Sequence, residues 1–545
     1  MTTAPRDPAQ ADQSGADIDP SLSAFLAAYP HYATTTRLDE LRAVEYSHLD
    51  TDGGIYLDYT GSGVCADAQL RAHAARLHNR CFGNPHSDSP SSKATTELVE
   101  QTRRAVLEYF NASPDEYVAI FTPNATGACR LVAESYRFGA RTRFVLTYDN
   151  HNSVNGIREF ANMRGAVTQY VPVTAPDLRI DDAAVRAALA QPRPGVTEAA
   201  LRMLVSGSVP WAGHPRRRAA QRRIGRSWAE AGGQGALWRD LGSHSTHDRG
   251  LFAFPAQSNF TGVQHPLHWV DTAHEYGYDV LLDVAAYVPT NRLDLSAIHP
   301  DFIPVSWYKV FGFPTGVGCL IARRDALVRL QRPWFSGGTI QAVSVQGGWH
   351  TLTEDESAFE DGTLNFLAIP DIEIGLSWIN SIGIDLIHTR VACLTGWLLD
   401  RLVALCHSSG APMVRIYGPT DSRDRGGTIA FNLLDPDGNV VDERAVARDA
   451  SAAGISLRTG CFCNPGVGEG AFHITKAAVT GSIRHGVRSL DDYLDMLNLP
   501  SAGSIRVSLG LASNIEDVDR LLQHLQTTYQ DRFSDLSGLE PRLRC

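Results

Sequence analysis

The chain has 545 residues, 43% of them hydrophobic and 20% charged, enough to bury a large core and to divide into two or three regions of ordinary domain size. Its 49 basic against 60 acidic side chains give a net charge of −11, the wrong sign for a general binder of nucleic-acid backbones or anionic membrane surfaces. Nine scattered cysteines without paired CxxC knuckles argue against a disulfide framework and against a structural zinc site, so no metal is expected.

No apolar run reaches the ~18 residues of a membrane span, and the N-terminus lacks a charged region followed by an apolar one. The expectation is a soluble, cytoplasmic protein with free thiols. Residues 1–20 are polar and rich in Pro and Asp, and are expected to form a disordered tail. From Ile55 to Val173 short apolar runs (IYLDY, YVAIFT, RFVLTY, VTQYVPV) alternate with helix-length amphipathic stretches at 93–110, 126–137 and 153–163. That alternation predicts βαβ units and a mainly parallel sheet. The stretch from about 191 to 249, which holds QPRPG and HPRRRAAQRRIGR, breaks the pattern and reads as a solvent-exposed Arg-rich insertion, with a surface for an acidic partner or an anionic ligand as the sharper alternative. Strand-like runs resume at LFAF, DVLLD, FIPVSW and GVGCLIA, with a helical segment at 264–276 between them. Beyond about 370, helices at 372–406, 442–453 and 515–528 surround strands at TIAFNLL and SIRVSLG. Two regions meeting at a cleft are expected.

Only three lysines are present, Lys93, Lys309 and Lys476, against 46 arginines (49 − 3), so amine chemistry has three candidate positions. Asp283 ends the apolar strand DVLLD, and Lys309 follows 26 residues later among small residues and glycines. Pyridoxal phosphate (PLP) chemistry needs such a pair, a lysine for the Schiff base and a carboxylate on the pyridinium nitrogen. Taken singly, the aspartate reads as a cap or turn and the lysine as solvated. In TPNATGA the amides around Asn124, Ala125 and Thr126 precede a helix and suit a phosphate; the plainer reading is an N-cap by Asn124 or Thr126. His151 follows another strand and suits stacking on a flat ring, or is simply a loop histidine. RTGCFCN places Cys461 and Cys463 in a glycine-flanked, mobile loop beside Arg458, where a thiol of low pKa is a candidate nucleophile. A half zinc site and inert loop cysteines are the alternatives.

Together YLDYTGSG, FGNPHSDSPSSK, HNSVNGIR, FPAQSNFTGV, LLDVAAYVPTNRLDLS, SWYKVFGFPTGVG, FEDGTLNFL, LRTGCFCNPG and GSIRVSLG resemble the class V, fold-type I PLP enzymes. The resemblance runs from about Ile55 to Leu521 and is closest to the cysteine desulfurase region of molybdenum cofactor sulfurases. It implies an α/β fold with a seven-stranded, mainly parallel central sheet flanked by helices. A large PLP-binding domain at 21–369 and a smaller α+β domain at 370–545 carrying the cysteine loop are expected.

The resemblance also implies site roles. Lys309 would hold PLP, Asp283 would pair with its ring nitrogen, and His151 would stack on the ring. Asn259 would lie near the ring hydroxyl. Thr126 and Ser306 would contact the phosphate, joined by Thr363 from a second subunit of a homodimer. Arg506 would grip the substrate carboxylate, with Arg458 nearby. Cys463 would attack the sulfur of L-cysteine, releasing L-alanine, and Cys461 is the alternative thiol. Two departures match the sulfurases: Tyr308 replaces a histidine before the lysine, and Ala286 replaces a glutamine. A third does not, because VGEGA follows CFCNPG without the further cysteine that sulfurases tend to carry there. The expected sulfur acceptor is a separate protein or biosynthetic intermediate. The competing enzyme reading is a PLP-dependent lyase, aminotransferase or other amino-acid-modifying enzyme of a specialised pathway, with Cys463 a bystander or acid. A degenerate scaffold is opposed by the joint presence of Lys309, Asp283, His151 and Arg506.

Overall fold

The computed structural model describes residues 20–51, 53–85, 87–194, 249–475, 494 and 503–539. The N-terminal tail, most of the Arg-rich insertion, Lys476 and Cys545 lie outside the described residues.

The first strand-like run contributes only β1 (Ile55–Tyr56). The next runs form β2 (Tyr117–Thr122), β3 (Arg143–Thr147), β4 (Val167–Val171), β5 (Gly250–Pro255), β6 (Tyr278–Asp283), β7 (Phe302–Ser306) and β8 (Gly318–Arg323). Among the described residues these seven make one sheet in the order β2-β8-β7-β6-β5-β3-β4. β8 runs antiparallel to both of its neighbours, and the contacts from β7 through β4 are parallel. Every residue of β5, β6 and β7 is buried. Near-continuous apolar runs such as YDVLLD form central strands of a sheet covered on both faces. Two apolar clusters lie against this sheet, one containing Phe252, Val280 and Ile303 and the other Leu251, Leu281 and Phe302, as period-2 alternation requires.

An exposed hairpin, β9 (Ile340–Ser344) and β10 (Trp349–Leu352), follows the large sheet. The C-terminal region has a four-stranded antiparallel sheet of β11 (Val414–Tyr417), β12 (Thr428–Leu433), β14 (Arg458–Gly460) and β15 (Ser504–Ser508), in the order β11-β12-β15-β14. β13 (Ile455–Ser456) pairs with β1. No single helix among the described residues is long and apolar enough to cross a membrane.

Two expectations are corrected. The stretch 372–406 is two helices, Pro370–Ile382 and Ile384–Ala404, bent by 70° where Gly383 adopts φ +96. The helical segment expected at 264–276 shortens to Trp269–Glu275. The N-terminal segment also makes buried polar contacts with the C-terminal helices. Arg390 Nε donates to Thr35 Oγ1 and its Nη groups to Asp39, while buried Arg42 pairs with Asp517 of the Ile515–Tyr529 helix. These partners are hundreds of residues apart, and local periodicity carries no trace of them.

Candidate active site

The candidate site residues stand where parallel strands end, the usual place for a ligand in an open α/β sheet. After β2, Asn124 caps the helix Ala125–Ser135, its Oδ1 accepting from Gly127 N at 2.9 Å. The Asn124 side chain is thus the cap of the plainer reading. Ala125 N donates to Ser306 Oγ at 2.9 Å, which brings the end of β7 to this helix start. The Thr126 hydroxyl is 2.7 Å from Ser153 Oγ. Asp283 ends β6, where Oδ1 accepts from Ala285 N at 3.0 Å and Oδ2 keeps no hydrogen bond among the described residues. Lys309 sits in the short helix Trp307–Phe311 directly after β7.

These residues line one cavity of about 340 Å3, together with Cys129, Ser153, Gln257, Asn259, Tyr308 and His151. The Lys309 amine makes no hydrogen bond among the described residues. Burial pushes its pKa below the usual lysine value; Asp283 opposes that shift, and Arg506 and Arg458 reinforce it. His151 Nδ1 accepts from Ser153 N at 3.1 Å, which places the proton of the neutral ring on Nε2. Burial, then the Lys309 charge, lower the His151 pKa to about 4.

That shift has a pH consequence. The folded state refuses a proton that the unfolded chain accepts near pH 6.5, so the contribution favours the fold above about 6.5 and is lost as pH falls towards 4. In cofactor-free protein the fall in Tm between pH 7 and 5 is expected to be smaller for His151→Gln than for wild type. Equal slopes for the two proteins would contradict the assignment.

Gly312 ends the lysine helix at φ +78, and a Cβ there would lie 2.4 Å from Cys65 N. Backbone cannot retreat as a flexible side chain can. Gly312→Ala is expected to lower unfolding free energy by on the order of 3 kcal/mol, measurable by urea titration.

The base of the cysteine loop is tied to neighbouring elements by specific contacts. Phe462 and Cys463 take left-handed conformations, φ +54 and +53, which L residues adopt at a cost of about 1–2 kcal/mol each. Three hydrogen bonds and two contacts of the Phe462 ring hold them there. Asn152 N donates to Cys463 O at 2.7 Å, Asn259 Nδ2 to Phe462 O at 2.9 Å, and Asn464 Nδ2 to Asp149 O at 2.8 Å. The Phe462 ring packs edge-on against Phe260, with the Arg506 guanidinium 4.9 Å from its centroid. Asn259 therefore lines the cavity while its amide group is committed to the loop, since Oδ1 also accepts from Asn464 Nδ2 at 2.8 Å.

Cys463 is a free, exposed thiol and lies outside the cavity lining, whereas Cys461 is disulfide-bonded. Thr363 does not reach the cavity of its own chain. It lines a neighbouring cavity of about 350 Å3 with Trp334 and Asp361, which meets the first at Gly316. Arg506 is buried on β15, and Arg458 is half-exposed on β14. Sequence reading missed Asp58, whose carboxylate joins these two arginines, and Asn464, which fixes the loop. Asp58 is in YLDYTGSG, but its partners are 400 and 448 residues away in sequence.

The residues present fit PLP. A helix start with the Thr126 amide and Ser306 suits the phosphate, an aspartate with one oxygen unclaimed suits a ring nitrogen, and a half-buried lysine on the cavity wall, its amine without a hydrogen bond among the described residues, suits the aldehyde carbon.

Comparison with known proteins agrees. A family profile described as Aminotransferase class-V matches residues 55–197 and 209–521. The molybdenum cofactor sulfurase of Solanum lycopersicum is 32% identical over 535 residues, spanning 96% of this chain and 61% of that protein. The molybdenum cofactor sulfurase of Homo sapiens is 32% identical over 512 residues, spanning 90% of this chain and 51% of that protein. The chain thus spans between about half and three-fifths of the length of these curated relatives. A cysteine desulfurase from Thermococcus onnurineus superposes with a TM-score of 0.66 at 20% identity, covering 90% of this chain and 97% of the other. One from Escherichia coli gives 0.60 at 19% identity, covering 90% and 98%. These superpositions establish the fold.

Proposed function

The chain belongs to the aminotransferase class V family, and we propose that it is a PLP-dependent cysteine desulfurase that converts L-cysteine to L-alanine and keeps the sulfur as a persulfide on Cys463. One observation carries the reading: the Asn152 N to Cys463 O hydrogen bond at 2.7 Å. It fixes the loop with the exposed thiol to the residue after His151, at the edge of the cavity that contains Lys309. The sequence likeness to molybdenum cofactor sulfurases supports the same chemistry.

Bound PLP supplies an electron sink for negative charge developed at the substrate. Asp283 would pair with the ring nitrogen, and the helix start at Ala125–Thr126 with Ser306 would hold the phosphate. Arg506 binds the substrate carboxylate. The Lys309 amine, kept below the usual lysine pKa by burial, carries the proton at the substrate α-carbon. His151, whose pKa is lowered to about 4, would line the ring's place without adding positive charge. The Cys463 thiolate attacks the substrate sulfur, forming an S–S bond as the Cβ–S bond breaks, and the carbon fragment takes up a proton. One L-cysteine and one thiol give one L-alanine and one persulfide, without an external oxidant. The exposure of Cys463 lets an acceptor collect the sulfur from outside.

A homodimer is part of the proposal. Thr363 lines the neighbouring cavity rather than that of Lys309, and Trp334, Phe335, Val345, Trp349 and Leu367 are exposed apolar side chains, suited to a second copy. Sedimentation should give twice the chain mass.

The test of the activity is incubation of PLP-loaded protein with L-cysteine and quantification of products. L-Alanine in proportion to L-cysteine consumed is expected. Pyruvate and ammonia in place of alanine would establish the lyase reading, and an unaltered L-cysteine pool would reject desulfuration.

A further inference from the structure

Asp58, which follows β1, takes no part in the scheme above, and it is 9% exposed. Its carboxylate bridges both guanidinium groups of the substrate region. Oδ1 accepts from Arg506 Nη2 at 2.8 Å and Oδ2 from Arg458 Nη2 at 2.6 Å, while Arg458 Nε lies 3.2 and 3.0 Å from the two oxygens. Arg506, 3% exposed, spends Nη1 on Asn259 O at 3.1 Å and leaves Nε buried without a hydrogen-bond partner. Its fork is therefore only partly filled by the protein, which is costly for a buried donor. Two positive groups and one carboxylate leave a net charge of +1, the complement of a single carboxylate.

The local backbone is shaped around this bridge. A Cβ on Gly61 would lie 2.3 Å from Asp58 Oδ2 and 2.6 Å from Arg458 Nη2. Only glycine leaves room for the pair. Gly61 N also donates to Asp58 O at 2.9 Å, so the turn holds the carboxylate in place.

We propose that Asp58 is a specificity-determining residue: it neutralises one of two guanidinium groups, so that the site accepts α-amino acids with one carboxylate and an uncharged side chain and excludes those with a second anionic group. The inference rests on the reading of Arg506 as the holder of the substrate carboxylate. A second carboxylate entering beside Asp58 meets a like charge where the effective dielectric is far below that of water. The charges of Asp58, Arg458 and Arg506 all act on Lys309, which places the bridge within electrostatic reach of the cavity.

Asp58→Asn preserves shape and removes the charge. The test titrates holoenzyme with L-alanine and with L-aspartate, following the cofactor absorbance, and compares dissociation constants. In Asp58→Asn the affinity for L-aspartate relative to L-alanine is expected to rise roughly tenfold or more. Arg458→Gln, at a half-exposed position where folding is not at stake, is expected to move the ratio in the opposite direction. Gly61→Ala displaces the bridge without changing charge, and should weaken both ligands together, with the ratio held to within about twofold. A ratio unchanged in both charge variants overturns the proposal, as does wild-type protein that binds L-aspartate as tightly as L-alanine. Should Asp58→Asn fail to fold, Arg458→Gln decides alone. These titrations need no turnover, so failure of L-cysteine to give L-alanine would overturn the proposed function without touching this result.

Discussion

Lys309→Ala is expected to abolish the visible absorption of lysine-bound PLP and to lower the rate of alanine formation by on the order of a thousandfold or more, the scale seen when a covalent catalytic group is removed. The fold should tolerate the change. Lys309 is in a helix, alanine is the strongest helix former, and the half-buried lysine's amine makes no hydrogen bond among the described residues that its loss would orphan. Removing a desolvated cation from beside Asp283 also leaves cofactor-free stability near the wild-type value. Absorption spectra and thermal melts of the two proteins check both halves. A Lys309→Ala protein that retained the lysine-bound spectrum would reject the assignment; Lys93 is exposed, 3.8 Å from Asp88, and is not among the residues that line the cavity.

Cys463→Ala is expected to separate cofactor binding from sulfur transfer. The absorption of bound PLP should be unchanged, because Cys463 lies outside the cavity lining, while alanine formation falls by on the order of a hundredfold or more. The substitution introduces no new backbone demand. Both residue types pay the same kind of penalty at φ +53, and the hydrogen bond that holds the loop uses the Cys463 carbonyl, not its thiol. Loss of activity in this variant therefore reports the sulfur atom itself. Undiminished alanine formation would leave the loop a structural element and move the assignment to a lyase or aminotransferase.

The central sheet was legible because its strands are buried on both faces, so their sequences are short, nearly unbroken apolar runs bounded by turn residues. Lys309 and Asp283 were legible for a different reason: lysine is scarce in this chain, and the aspartate ends such a run. The register of charges across the chain was not legible. Asp58 finds Arg458 and Arg506 only through the joining of β1 to β13 and of β14 to β15, and no local pattern marks that meeting. The cysteine loop shows the same limit. Its flanking glycine reads as mobility, but its backbone is held by Asn152, Asn259 and Asp149, all distant in sequence. Arg42 and Arg390 likewise tie the N-terminal segment to helices that sequence order places in another domain.

The central claim is that Cys463 receives sulfur from L-cysteine. Its most direct test is a single-turnover reaction of PLP-loaded protein with L-cysteine, in the absence of reductant, read by intact mass and peptide mapping. The predicted result is one added sulfur atom per chain, mapped to Cys463, formed in step with L-alanine and absent from Cys463→Ala. L-Alanine formed with no added sulfur on Cys463, or the same adduct in Cys463→Ala, would contradict it.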